Sequence, residues 1–227
     1  VSQATADDIL EVYPFIEPSK IFVIPHGSDH LSSFSVNPSP LSPLLEFLSR
    51  HQFFLYVGSR SNYKGFYVLL RSFKMLCDDL PSLSLLCVGS SFSPQEYKAI
   101  NDLGLTLNVF SYSALNSELP YLYSSALGFI YPSFCEGFGL PILEALYFNC
   151  PVICSNIPPF CEVGADLPFY YPPNDVKRLT YLLRYLALNS ESIRKHQLPN
   201  SISHASLYSW SNTAKLTFEL YAHVQSL

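Results

Sequence analysis

Two stretches of this 227-residue chain set charged side chains beside glycines at the ends of apolar runs, an arrangement suited to holding a polar, anionic ligand. The first reads Tyr131-Pro132-Ser133-Phe134-Cys135-Glu136-Gly137-Phe138-Gly139-Leu140-Pro141-Ile142-Leu143-Glu144-Ala145. It leaves a strand-like run, turns through two glycines and enters a helix at Pro141, where the missing N–H costs nothing. Unpaired amides and the dipole at such a helix start favour negative charge or hydroxyl oxygens. The glycines let a ligand approach the main chain. Glu136 precedes the turn and Glu144 lies eight positions on, so both can reach one cleft. There they can accept hydrogen bonds in pairs, which suits the neighbouring hydroxyls of a sugar. A tight turn with a capping glutamate would account for the same residues. The second stretch, Val57-Gly58-Ser59-Arg60-Ser61-Asn62-Tyr63-Lys64-Gly65, follows a Gly turn with two cations four apart, which can clamp a diphosphate from one side. Arg offers a planar fork and Lys a mobile point charge, so the two do different work on phosphate. A solvated loop with two surface charges is the plainer alternative.

The elements that must position these residues are legible as apolar runs without alternation, separated by helical stretches. Strands are predicted at Phe53–Val57, Leu83–Val88, Thr106–Phe110, Ala126–Tyr131, Val152–Ser155 and Phe169–Tyr171. Helices are predicted from Phe66 to Asp78, from Pro94, from Ser117 to Ser125, from Pro141 to Phe148 and from Asp175 to Leu188. This pattern predicts an α/β fold, a doubly wound parallel sheet covered on both faces and spanning residues 44–206. Ligands of such sheets bind at the carboxyl ends of the strands, where both charged stretches fall. The flanks fall outside that count. Residues 4–13 look helical, Ile21–Ile24 reads as a strand, residues 31–43 have a Ser/Pro linker composition, and residues 207–227 read as a terminal helix.

Composition narrows the function classes. Hydrophobic residues make up 48% and aromatic residues 15%, which excludes a disordered chain. Charged residues reach only 14%, against a usual share of roughly 25%, so part of the surface is expected to cover itself against something else. The net charge of −5 and the absence of a basic run argue against nucleic acid or anionic lipid as the main partner. Six cysteines without a CxxC pair, two of them (Cys87 and Cys154) in strand-like runs, read as free thiols of a reducing compartment. No apolar run approaches the ~18 residues of a membrane span. No Asp-x-Asp occurs, so no carboxylate-held metal is expected on a diphosphate, and no Gly-x-Gly-x-x-Gly supports a dinucleotide oxidoreductase.

Taken together, the two charged stretches resemble the retaining GT-B glycosyltransferases of family 4, in which a Gly/Arg/Lys phosphate loop precedes a Glu-x7-Glu motif. That motif stands intact from Glu136 to Glu144, and Pro151-Val152-Ile153-Cys154-Ser155-Asn156-Ile157-Pro158 followed by Glu162 is similar to the family's next stretch. Pro172-Pro173-Asn174-Asp175 and Ser209-Trp210-Ser211 also fit. The resemblance implies the C-terminal, Rossmann-like half of a GT-B fold, an enzyme of polysaccharide biosynthesis that transfers a hexose with retention. Arg60 and Lys64 match the pair holding the donor pyrophosphate, and Glu136 matches the carboxylate beside the donor sugar, better cast as orienter than as nucleophile. Gly137, Phe138, Gly139 and Leu140 match the loop whose amides touch sugar and phosphate, and Glu144 matches the acceptor of ribose hydroxyls. Gly58 and Ser59 belong to the phosphate loop, Gly89 is expected to border the cleft, and backbone around Val109 and Phe110 to meet the base.

The same resemblance implies that residues 1–30 are the tail of an N-terminal acceptor domain and that residues 207–227 cross back toward it. A partner domain or subunit would then complete the enzyme, and this chain alone is expected to bind donor without necessarily turning over. Ile24-Pro25-His26-Gly27-Ser28-Asp29 matches the family's crossing point, with His26 read chiefly as a linker residue. His30, His51, His196, His204 and His223 read as surface or helix residues. The implied substrate is a nucleotide diphosphate sugar, GDP-mannose ahead of UDP-sugars, with no metal or other cofactor. The implied acceptor is a glycan or lipid-linked glycan at the cytoplasmic face of a membrane. A non-catalytic nucleotide-sugar-binding or subunit-pairing module remains the alternative, with a GT-B-shaped phosphorylase or epimerase behind it.

Overall fold

The computed structural model describes residues 1–36, 46, 51–196 and 200–225. Its centre is a six-stranded, all-parallel sheet in the order β3-β2-β1-β4-β5-β6. The strands are β1 (Phe53–Val57), β2 (Ser84–Val88), β3 (Val109–Tyr112), β4 (Gly128–Tyr131), β5 (Val152–Ser155) and β6 (Phe169–Tyr171). The helices are α1 (Gln3–Val12), α2 (Phe66–Cys77), α3 (Pro94–Asp102), α4 (Leu119–Ser125), α5 (Leu140–Tyr147), α6 (Pro158–Gly164), α7 (Val176–His196), α8 (Ser201–Ala205) and α9 (Trp210–Gln225). This is the doubly wound α/β fold expected from the strand pattern. All residues of β2, β4 and β5 are buried, because helices cover both faces of the sheet. One contiguous core runs from Phe53, Leu55 and Phe73 through Phe129 and Ile153 to Leu183.

Strand order reverses between β1 and β4, where consecutive crossovers depart to opposite sides and leave a crevice at the carboxyl ends. Gly65 brings the loops after these two strands together. It holds a left-handed φ of 68°, and a Cβ there would stand 2.0 Å from the Pro132 carbonyl oxygen, so only glycine fits. The Phe134 amide then donates to the Tyr63 carbonyl at 2.7 Å, tying the two charged loops to each other.

Three expectations need correction. The third strand runs Val109–Tyr112 rather than Thr106–Phe110. Leu107, whose apolarity drew the prediction early, is 85% exposed in the preceding turn, and the sheet begins only where Asn108 accepts from the Leu85 amide. Ile21–Ile24 joins no sheet: it lies beside α9, with the Phe22 and His223 rings 6.0 Å apart, and a helix offers no edge to pair with. The helix predicted to end at Leu188 continues to His196. Helices α6 and α8 are additions, each too short to print a period of its own. Of the predicted linker, residues 31–43, the part beyond residue 36 lies outside the described residues, as does the side chain of His196.

The segment from Pro25 to Asp29 is stitched to the start of α9. Thr213 donates to the Pro25 carbonyl at 2.8 Å, the Ser28 amide to Tyr208 at 2.8 Å, and the Trp210 amide to the Asp29 carboxylate at 2.9 Å. All six cysteines are unpaired, and burial pushes the Cys77 and Cys150 thiols up to about 11. Among the described residues no helix is long and apolar enough to cross a membrane.

Candidate functional site at the sheet's switch point

The short turn after β1 places Lys64 so that its Nζ lies 2.5 Å from Glu136 Oε1 and 3.5 Å from the Tyr131 hydroxyl. The ammonium sits near the rings of Tyr63 and Tyr131, whose faces favour a cation. Both ends of this ion pair are mostly buried, with side-chain exposures of 15% and 13%. The two residues expected to act on opposite parts of a donor therefore pair directly with each other.

Arg60 is more deeply held than the sequence suggested, with its side chain 2% exposed. Nε donates to Glu96 Oε1 at 2.7 Å, while Nη2 donates to the carbonyls of Ser90 and Ser91 at 2.7 and 3.0 Å. The guanidinium lies 4.9 Å from the centre of the Phe92 ring. Of the three guanidinium nitrogens, Nη1 alone is buried without a partner among the described residues, and a Cβ on Gly89 would stand 3.6 Å from it. Glu96 does two jobs, since its other oxygen accepts from the Ser93 amide at 2.6 Å and closes a capping box at the start of α3. Burial pushes the Glu96 carboxyl up, but the Ser93 and Arg60 hydrogen bonds and the Arg60 charge outweigh it and leave the group below its ordinary value.

Between β4 and α5 the loop turns at Gly139, whose φ of 116° and 3.0 Å Cβ approach to Phe160 leave no room for a side chain. The amides of Gly137, Phe138 and Gly139 donate to no partner among the described residues. The Phe138 side chain is buried against Leu143 and Val163, so its backbone rather than its ring is available at the loop surface. The His26 ring packs edge-on to Phe138 at 5.3 Å and tilts against Trp210 at 5.7 Å, a packing role consistent with its expected place in the crossing segment.

Glu144, 6% exposed on α5, has both oxygens engaged. The buried Tyr123 hydroxyl donates to Oε2 at 2.7 Å, and His30 Nε2 lies 3.0 Å from Oε1. His30 is exposed, as the sequence reading expected, but no motif marks its contact with Glu144, which tertiary placement alone creates. The hydrogen bond to Glu144 raises the His30 pKa, partial burial lowers it, and the charges of Glu144 and Asp29 raise it further, for a net rise above 6.5. A group raised in the folded state stabilises it below the unfolded value and loses that contribution as pH rises through the folded value. Unfolding followed from pH 6 upward should therefore show a stability decline above about 6.5 that His30→Asn flattens. An unchanged slope in the variant would remove His30 from the account.

The remaining expected site residues divide. Gly58 and Ser59 form the turn out of β1, with Gly58 N donating to Val88 at 2.9 Å and Ser59 O accepting from the Tyr56 hydroxyl. Gly89 borders the same end of the sheet, its amide donating to Tyr112 at 2.9 Å. Leu140 opens α5. Val109 and Phe110 do not join them, because they pair with Leu85 and Leu86 in the first half of β3, while Tyr112 pairs with Val88 at the carboxyl end. The loop facing the crevice therefore begins after Tyr112, whose hydroxyl donates to Glu118 at 2.6 Å. Among the described residues no group of three or more His, Cys, Asp or Glu side chains could hold a metal ion.

Comparison with known proteins bears on the family and the fold. The family model for glycosyl transferases group 1 matches residues 45–201. The O-antigen chain mannosyltransferase RfbU of Salmonella typhimurium is 31% identical over 209 residues, covering 92% of this chain and 53% of that protein. The O-antigen chain mannosyltransferase B of Escherichia coli is 40% identical over 107 residues, covering 47% of this chain and 28% of that one. The chain thus spans no more than about half the length of these two curated relatives. Among solved structures, a glycosyltransferase from Rickettsia africae superposes with a TM-score of 0.81 at 22% identity, over 99% of this chain and 62% of that one. Anabaena HepE, in complex with UDP and glucose, gives 0.81 at 20% identity, over 100% and 62%. With more than half of its length matched by the family model and its six-stranded domain shared with these folds, the chain belongs to the glycosyl transferases group 1 and carries the C-terminal, Rossmann-like domain of a GT-B glycosyltransferase.

Proposed function

We propose that this chain is the donor-binding part of a retaining hexosyltransferase that takes its sugar, mannose by preference, from a nucleoside diphosphate. The reading rests most on one observation: Lys64, Glu136 and the unbonded amides of the 137–139 loop meet at the switch point of the sheet. Bound there, the donor's diphosphate replaces Glu136 as the partner of Lys64 and meets the one unpartnered donor of Arg60, Nη1. Those fixed charges and amides stand where negative charge grows on the leaving group, so they stabilise the transition state more than the ground state. The proposal assigns that neutralisation to the two cations and the loop amides, with no metal ion. Glu136, released from Lys64, orients the sugar hydroxyls, and Glu144 accepts from the ribose. The mannosyltransferase names of the two curated relatives favour mannose. The acceptor is then a glycan or lipid-linked glycan, met by an N-terminal domain of which residues 1–30 are the tail.

Calorimetric titration with GDP, UDP, GDP-mannose and UDP-glucose, beside Glu144→Gln, tests the reading. The free chain should select one base, and Glu144→Gln should weaken it roughly 10–100-fold, the worth of two hydrogen bonds to a charged acceptor made neutral. Because ribose must displace His30 from Glu144, affinity should also rise as pH passes upward through the His30 titration. Failure of every nucleotide to bind the folded chain would favour a subunit-pairing module.

A further inference from the structure

Glu162 stands in the stretch after the charged loop, and nothing in donor binding uses it. Its two carboxylate oxygens accept from the amides of Gln3 and Ala4, at 2.7 and 3.0 Å, on the first turn of α1. Ser2 caps the same helix, accepting from the Thr5 amide at 3.1 Å. The hydroxyls of Ser2 and Thr5 then both donate to a single acceptor, the carbonyl of Gly137, at 2.7 and 2.9 Å. A carbonyl with both lone pairs engaged by two converging donors cannot rotate without breaking both bonds. The peptide unit is planar and trans, so fixing the Gly137 carbonyl toward α1 fixes the Phe138 N–H away from it.

We infer that the amino end of α1 is a clamp on the donor loop, in which Ser2, Thr5 and Glu162 are positioning residues that aim the Phe138 amide at the donor. This rests on the donor reading above for its consequence, though not for its geometry. Glu162 docks the helix through its unpaired amides, where a carboxylate is favoured. Thr5 and Ser2 convert that docking into the orientation of one peptide. A shift of α1 relative to the sheet would release the carbonyl and disorder the amide, so sugar binding and the placement of α1 become linked.

The test compares the whole chain with Thr5→Val, Thr5→Ser, the double variant Ser2→Ala/Thr5→Val, and Glu162→Gln. Backbone amide order parameters at residues 136–139, from NMR relaxation, read the clamp without any ligand. Calorimetry with GDP and GDP-mannose, and with UDP and UDP-glucose, reads its consequence. The clamp predicts a lower order parameter at Phe138 and about tenfold weaker nucleotide-sugar binding in the double variant and in Glu162→Gln, as expected for losing one or two hydrogen bonds. Thr5→Ser should restore both, and thermal unfolding of the domain should stay near that of the parent chain. An unchanged order parameter at Phe138 in the double variant overturns the clamp whatever the ligands do. A lowered order parameter with no nucleotide binding even to the parent chain keeps the clamp and overturns the donor reading instead.

Discussion

Lys64→Ala should weaken binding of the nucleoside diphosphate sugar roughly 100–1000-fold, about 3–4 kcal/mol. Two effects add. The ligand loses its most mobile cation, and the free protein is left with Glu136, whose side chain is only 13% exposed, facing the incoming diphosphate without its counter-charge. Truncating one partner of a buried, hydrogen-bonded charge pair typically costs about 2–5 kcal/mol, much of it from the charge left behind. Adding Glu136→Gln to Lys64→Ala should therefore recover part of the loss for the bare nucleotide. Glu136→Gln alone should leave bare-nucleotide affinity unchanged or slightly higher, since Lys64 no longer has to be released, while weakening the sugar-bearing form. Calorimetry on the four members of this cycle isolates the coupling. A loss below about threefold in Lys64→Ala would mean that no phosphate reaches this ammonium.

The order of these effects follows from the topology. Lys64 and Glu136 come from loops that leave β1 and β4, the two strands between which the sheet changes direction. Their meeting is enforced by main chain: Gly65 under Pro132, and the Phe134 amide on Tyr63. The two loops are thus joined by main chain independently of the ion pair, and on the proposed donor reading that pair is the part the diphosphate opens.

How far this was legible in sequence depended on burial. Five of the six strands were placed within two residues at either end: β1, β2, β4 and β5 are covered on both faces and written as unbroken apolar runs, as in Phe53-Phe54-Leu55-Tyr56, and the edge strand β6 still carries the aromatic run Phe169-Tyr170-Tyr171. The third, an edge strand with only Val109 fully buried, carries no such run and was misplaced, so that Val109 and Phe110 fall in its first half. Lys64, Glu136 and Glu144 stood out as candidates because glycines and a helix start bracket them. Glu96 had a signal that went unread, since Ser93-Pro94-Gln95-Glu96 spells a capping box. His30, Tyr123 and the α1 hydroxyls had none: their partners are chosen by how helices pack, which no local pattern records.

Arg60→Met should destabilise the fold by about 3–5 kcal/mol, the usual cost of leaving half of a buried ion pair, and lower the melting temperature by roughly 6–20 °C. Arg60 is the hub of the wall that carries Gly58 and Gly89. It binds two carbonyls of the 90–91 turn, stacks by Phe92 and holds Glu96 at the start of α3, with little water to replace any of these partners. The acid limb of the stability curve supplies the signature. Glu96 titrates below its ordinary value, so its contribution is present above about 4.5, the unfolded value, and is lost as pH falls through the folded one. Without the guanidinium that depression shrinks, so Arg60→Met should lose less stability on acidification than the parent chain. Adding Glu96→Gln should recover part of the loss by removing the stranded charge. If Arg60→Met melts within about 2 °C of the parent, the guanidinium is held for its ligand alone. If it melts far lower yet still binds nucleotide at low temperature, its work is architectural, and Nη1 contributes nothing to the diphosphate.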